Sequence, residues 1–136
     1  MSDSRTDDEA AIEAVLVAAY KAWDAGDANA FVADYTEDAT AIMTGSFRDS
    51  RDAVRQGMAQ SFEGPLKGSS TYNKPISIRF LGNDGAIVVS ESGILFPGET
   101  EVPEERKVNA TWVMEKRDGR WLIASYHNSP KLAPAR

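Results

Sequence analysis

The chain has 136 residues, 42% hydrophobic and 26% charged, the composition of one globular domain large enough to bury its own core. With 21 acidic against 15 basic side chains the net charge is −6, which repels polyphosphate and argues against nucleic acids and anionic membranes as partners. There is no cysteine, so disulfides, thiolate nucleophiles and cysteine–zinc sites are excluded together.

Thr6-Asp7-Asp8-Glu9 has the spacing of a capping box, a hydroxyl at the N-cap and a carboxylate three positions on. After it Ile12, Val15, Leu16, Ala19, Tyr20 and Trp23 recur at helical spacing and form one apolar stripe. Gly26 is a natural helix stop, and Asp27 then caps a short second helix that directs Ala30, Phe31 and Tyr35 to one side. Thr40–Met43 reads as a short strand, followed by a Thr-Gly-Ser turn. Asp49 or Ser50 opens a third helix with Val54, Met58, Ser61 and Phe62 on one face, and Gly64-Pro65 ends it.

From Tyr72 the period changes to two. Ile76, Ile78 and Phe80 share a face, Asn83-Asp84-Gly85 turns a hairpin, and a strand runs from Ala86 to Phe96. A loop from Pro97 to Glu104 is long enough to be mobile. Strands from Arg106 to Lys116 and from Arg120 to Asn128, joined at Asp118-Gly119, complete the sheet. Helices first and hairpins afterwards predict an α+β domain spanning 6–129, with the ends Met1–Arg5 and Lys131–Arg136 outside it. The N-terminus lacks the apolar core of a signal peptide and no apolar run approaches the ~20 residues of a membrane span, so a cytoplasmic location is expected.

Two stretches carry a resemblance. They are Trp23-Asp24-Ala25-Gly26-Asp27 with Tyr35-Thr36-Glu37-Asp38-Ala39-Thr40, and Arg117-Asp118-Gly119-Arg120 running into Trp121 through His127-Asn128-Ser129. Together they resemble the SnoaL-like, nuclear transport factor 2-like superfamily and, within it, the SgcJ/EcaC group, over Ala10 to Ser129. The resemblance implies a cystatin-like cone, with a curved mixed or antiparallel sheet wrapped around three N-terminal helices and a ligand cavity at its wide end. It also implies a homodimer through the sheet, and for the SgcJ-like group an association with enediyne polyketide biosynthesis.

Candidate residues follow. His127 is the only histidine, the residue type whose ionisation falls nearest neutral pH. Strict alternation groups it with Trp121, Ile123 and Ser125, which places it in the cavity with Asn128 at the rim. It is read either as a general acid/base or as a strand-end residue that packs and hydrogen-bonds. Tyr20, Trp23, Tyr35, Phe62 and Trp112 are the large aromatics available as pocket walls, with Met43 and Met58 as adaptable lining; each can equally be core. Glu91, between Ser90 and Ser92, is a second acid/base candidate, depending on which face it takes. Asp24, Asp27, Asp34, Glu37 and Asp38 lie near helix ends, where capping and solvent account for them. Arg79 falls on the outer face.

No His-Glu-x-x-His, nucleotide-binding glycine loop or Gly-x-Ser-x-Gly elbow occurs, so neither a metal nor an organic cofactor is expected. The resemblance does not extend to ketosteroid isomerase chemistry. Met43 stands at the position of the catalytic base, and Asn109 to Thr111 offer no carboxylate where the second acid would fall. A SnoaL-type cyclase needs a cavity acid, for which His127 or Glu91 would substitute. Three functions are therefore carried forward. The first is a binding protein for a hydrophobic polyene or polyketide intermediate, with a possible partner biosynthetic enzyme. The second is a cofactor-independent cyclase, isomerase or dehydratase using His127, and the third is a non-catalytic dimeric scaffold.

Overall fold

The computed structural model describes residues 2–132. Helix α1 (Ser2–Asp24) comes first, then a single turn α2 (Ala28–Phe31), strands β1 (Tyr35–Met43) and β2 (Ser46–Arg48), and helix α3 (Arg51–Glu63). Strands β3 (Ser70–Leu81), β4 (Gly85–Leu95), β5 (Val108–Arg117) and β6 (Arg120–Pro130) follow, with a 3-10 turn at Glu104–Arg106 ahead of β5. One six-stranded sheet has the order β2-β1-β6-β5-β4-β3. It is antiparallel except where β1 runs parallel to β6, so the first and last strands are neighbours inside it.

The core lies between the sheet and the helices. Ile12, Leu16, Ala19 and Ala22 bury one face of α1 against β3 and β6, and Val54, Met58 and Phe62 bury one face of α3 against β1 and β2. Asp27 caps α2 by accepting from the Ala30 N–H, and Ser50 caps α3 by accepting from the Ala53 N–H. Gly26 ends α1 with φ +67°, a left-handed conformation that glycine adopts without a Cβ penalty.

Several sequence expectations need correcting. The first helix starts at Ser2, so Thr6 lies inside it and the Thr6–Glu9 capping box is not used. Asp8 instead turns to the sheet and accepts from Trp121 Nε1 at 3.0 Å and Lys116 Nζ at 3.2 Å. Arg5, expected to lie outside the domain, sits over the Phe80 ring at 4.2 Å and donates to the Gly82 carbonyl. Lys131, also placed outside, pairs with Glu91 at 2.6 Å; Met1 and 133–136 lie outside the described residues. The second helix is a single turn, with Ala30 exposed and Tyr35 already in β1. Ile76 is exposed because a register shift between Pro75 and Ser77 breaks the alternation that Ile78 and Phe80 obey.

The loop after β4 is fastened to the body. Glu99 accepts from the Phe96 N–H at 2.8 Å and pairs with Arg106 at 2.6 Å, while Val102 is buried against Gly93.

Candidate functional site

Between the helices and the concave face of the sheet lies a cavity of about 540 Å³. Aromatic rings make two of its walls. Trp23, Phe31 and Tyr35 form one, with Trp23–Phe31 and Phe31–Tyr35 centroids 5.9 and 5.8 Å apart. Tyr20, Trp112 and Tyr126 form the other, at 6.0 Å for Tyr20–Trp112 and 4.4 Å for Trp112–Tyr126. Met43, Val54, Met58 and Leu66 add aliphatic lining, and Ile94, Phe96 and Val108 carry it towards the loop before β5.

Polar groups are few and placed. The Tyr20 hydroxyl donates to Asn73 Oδ1 at 3.1 Å, and Asn128 Nδ2 donates to the Tyr126 hydroxyl at 2.7 Å. Trp23 Nε1 is held by Ser69 Oγ at 3.0 Å. Burial pushes the phenols of Tyr20 and Tyr35 well above their ordinary range and that of Tyr126 upward, so all three are neutral hydroxyls. Trp112 Nε1 and Ser90 Oγ are buried without a hydrogen-bond partner among the described residues. Arg48 reaches the cavity from the edge strand β2, and burial works against its charge. The lining includes one carboxylate, Glu105, exposed at the rim.

Of the residues proposed from sequence, Tyr20, Trp23, Tyr35, Met43, Met58, Trp112 and Asn128 line this cavity. Phe62 does not. It packs edge-on against Trp23 at 5.7 Å, behind the wall. His127 does not either, because Ala124 is an extra residue in β6: Val113 pairs with Ser125 but Met114 pairs with Ile123. Trp121 and Ile123 face inward as expected, and beyond the bulge the parity reverses. Tyr126 and Asn128 then line the cavity, while His127 is exposed beside Ile42 of β1. Glu91 also points away from the cavity, to Lys131 at 2.6 Å, Tyr72 at 3.0 Å and Lys107 at 3.6 Å. Hydrogen bonds from Lys131 and Tyr72 hold its carboxyl down at about 2. Arg79 is exposed opposite Ile87 on the outer face, as expected.

Sequence reasoning missed Arg48, Tyr126 and Ser92. Arg48 sits in a three-residue strand too short to show a period, and Tyr126 was assigned to the wrong face by the unrecognised bulge. Ser92 shares the Ser90 face, which the composition of β4 leaves undecided. Among the described residues no group of histidines and carboxylates is arranged to hold a metal ion, and no helix is long and apolar enough to cross a membrane.

The fold agrees with comparisons to known proteins. Residues 12–133 match the SnoaL-like domain, and the chain belongs to that family. A domain of unknown function with a cystatin-like fold from Nostoc punctiforme PCC 73102 is 28% identical, with 94% of this chain and 80% of that chain covered and a TM-score of 0.86. An NTF-2 like protein of unknown function from Shewanella oneidensis MR-1 is 26% identical, with 92% and 98% covered and a TM-score of 0.75. Hexachlorocyclohexane dehydrochlorinase LinA-type3 from Novosphingobium barchaimii LL02 shares the fold at 14% identity, with 97% and 92% covered and a TM-score of 0.81. No curated protein sequence matches the chain. The α+β, cystatin-like architecture is therefore the one its sequence implies, with three helices over a curved mixed sheet.

Proposed function

We propose that this protein binds a hydrophobic small molecule of the polyene or polyketide type in its aromatic cone, as an accessory to bacterial natural-product biosynthesis of the enediyne kind. The observation that carries the reading is the cavity itself. It measures about 540 Å³, is lined by seven aromatic side chains, and among the described residues has one carboxylate, at the exposed rim. Flat conjugated molecules gain most from such walls, through offset and edge contacts worth about 0.5–1.5 kcal/mol per ring beyond area burial.

The enzymatic alternative drew on His127 and Glu91, and both side chains point away from the cavity. Acid–base chemistry requires a proton acceptor within hydrogen-bond reach of the reacting atom. Away from the rim, the cavity's titratable groups are Arg48, a cation, and tyrosine hydroxyls whose burial disfavours their ionised form. The fold's other users do not restore a base: the ketosteroid isomerase-like and scytalone dehydratase-like neighbours are 21% and 18% identical and share the architecture alone.

Native mass spectrometry of the protein incubated with extract from a polyketide-producing bacterium tests this. A co-retained conjugated hydrophobe, lost on Tyr20→Ala and unaffected by His127→Ala, is the expected outcome. A retained species that returns chemically changed would make the enzyme reading the better one. Retention of nothing across several extracts would favour the scaffold.

The sheet's outer face also supports the homodimer. Ile42 and Phe47 are cross-strand partners there and are 40% and 66% exposed, an apolar pair left uncovered among the described residues.

A further inference from the structure

We propose that Arg48 is the anion-recognition residue of the cavity, and that the ligand is an apolar molecule ending in a carboxylate. The inference rests on the binding reading above and names the chemistry of the ligand's polar end.

Arg48 is set apart by what it lacks. Arg51, Arg55 and Arg106 are also partly buried, and each pairs with a carboxylate: Glu37 at 3.6 Å, Asp52 at 2.8 Å and Glu99 at 2.6 Å. Arg48 has neither an ion pair nor a hydrogen bond among the described residues, although it lines the cavity. A desolvated guanidinium without a counter-charge is costly, and that cost is relieved when an anion arrives. At the rim, the other basic residues are already engaged. Arg106 is held by Glu99, and Lys107 by Glu104 at 2.7 Å and Glu91 at 3.6 Å.

The surroundings make room for the guanidinium. On α3, Gly57 faces it so closely that a Cβ there would come within 2.6 Å of Arg48 Cζ. Beneath it, Arg48 is in register with Ala41, Ala41 with Tyr126, and Tyr126 with Trp112. One row across the concave face thus begins with a cation over a small side chain and continues as aromatic rings. At its far end is the Trp112 indole N–H, a buried donor without a partner among the described residues. Every unpaired group on this row is a donor, so the matching ligand supplies acceptors and negative charge. One carboxylate balances one guanidinium and accepts its planar fork of N–H groups. A phosphate would bring a second charge for which the row offers no second cation.

The test uses cis-parinarate, a fluorescent conjugated tetraene carboxylate, and its uncharged methyl ester, titrated into the wild type and three variants. Wild type is expected to bind the acid more tightly than the ester. Arg48→Met should weaken the acid by about tenfold or more and leave the ester within about twofold. Arg48→Lys should fall between, keeping the charge and losing the fork. Gly57→Ala should also weaken the acid selectively, since it displaces the guanidinium at a position where alanine favours the helix. If ester and acid both bind and Arg48→Met does not separate them, the anion site is wrong and the cavity reading stands. If Arg48→Met loses both probes together, Gly57→Ala decides: selective loss of the acid upholds the proposal, and equal affinity for both overturns it. If neither probe binds the wild type, the cavity reading fails and the anion site with it.

Discussion

Asp8 joins the helix layer to the sheet through two donors on neighbouring strands, Trp121 Nε1 on β6 and Lys116 Nζ on β5. The indole hydrogen bond is the main reason its carboxyl lies below the usual range. Trp121 is buried, so removing its acceptor leaves a donor stranded away from water. Asp8→Ala should therefore cost about 1–3 kcal/mol in urea unfolding, and Asp8→Asn clearly less, because the amide oxygen still accepts. Equal losses would show that charge, and not the Trp121 contact, matters. Glu91 makes a second prediction, in pH. Its carboxyl drops from 4.5 to about 2 on folding, so the unfolded chain takes up this proton first. The stabilisation is complete above about pH 4.5 and is lost as pH falls towards 2. Acid unfolding of Glu91→Gln should lack that component, and a profile parallel to wild type across the window would contradict the assignment.

Among the elements, the contact between β4 and the loop before β5 turns on Gly93. A Cβ there would lie 2.7 Å from Val102 Cγ1, and valine's stiff χ1 leaves little room to yield. Gly93→Ala should thus lift the loop and speed amide hydrogen exchange over 97–107, and Val102→Ala in the same chain should restore protection. Unchanged exchange in Gly93→Ala would mean that the Glu99–Arg106 pair alone holds the loop. The same elements show what was legible in the sequence. Helix stripes, the cap at Asp27, the third helix's start at Asp49 or Ser50 and the hairpin turns were readable, because each is written within a few residues. Bulges were not. One extra residue, Ala124, reverses every side chain after it, so alternation that holds for Trp121 and Ile123 misplaces His127 and Tyr126. The shift at Pro75/Ser77 does the same to Ile76. Both arise in pairing with the other strand of a hairpin, β6 with β5 and β3 with β4, and one strand's own pattern carries no record of it. The lining carried by the helices was legible for a different reason: Tyr20, Trp23 and Met58 lie on helical stripes, whose phase no bulge disturbs.

At the scale of the molecule, a helix layer over a curved sheet leaves the wide end of the cone unfilled, and the lining of that space decides the function. Its walls suit an apolar body, and the outer face of the sheet offers the exposed pair Ile42 and Phe47. If the proposed dimer forms there, Phe47→Glu should convert a dimeric mass to a monomeric one by light scattering without loss of helicity. A dimer that survives the substitution would place the interface elsewhere. The most direct test of the central claim is a methionine-methyl NMR titration with cis-parinarate. Met43 and Met58 line the cavity, while Met114 is buried outside its lining and serves as an internal control. Binding in the cone predicts large shifts at Met43 and Met58 with Met114 nearly still. A bound probe that leaves Met43 and Met58 unmoved would contradict it.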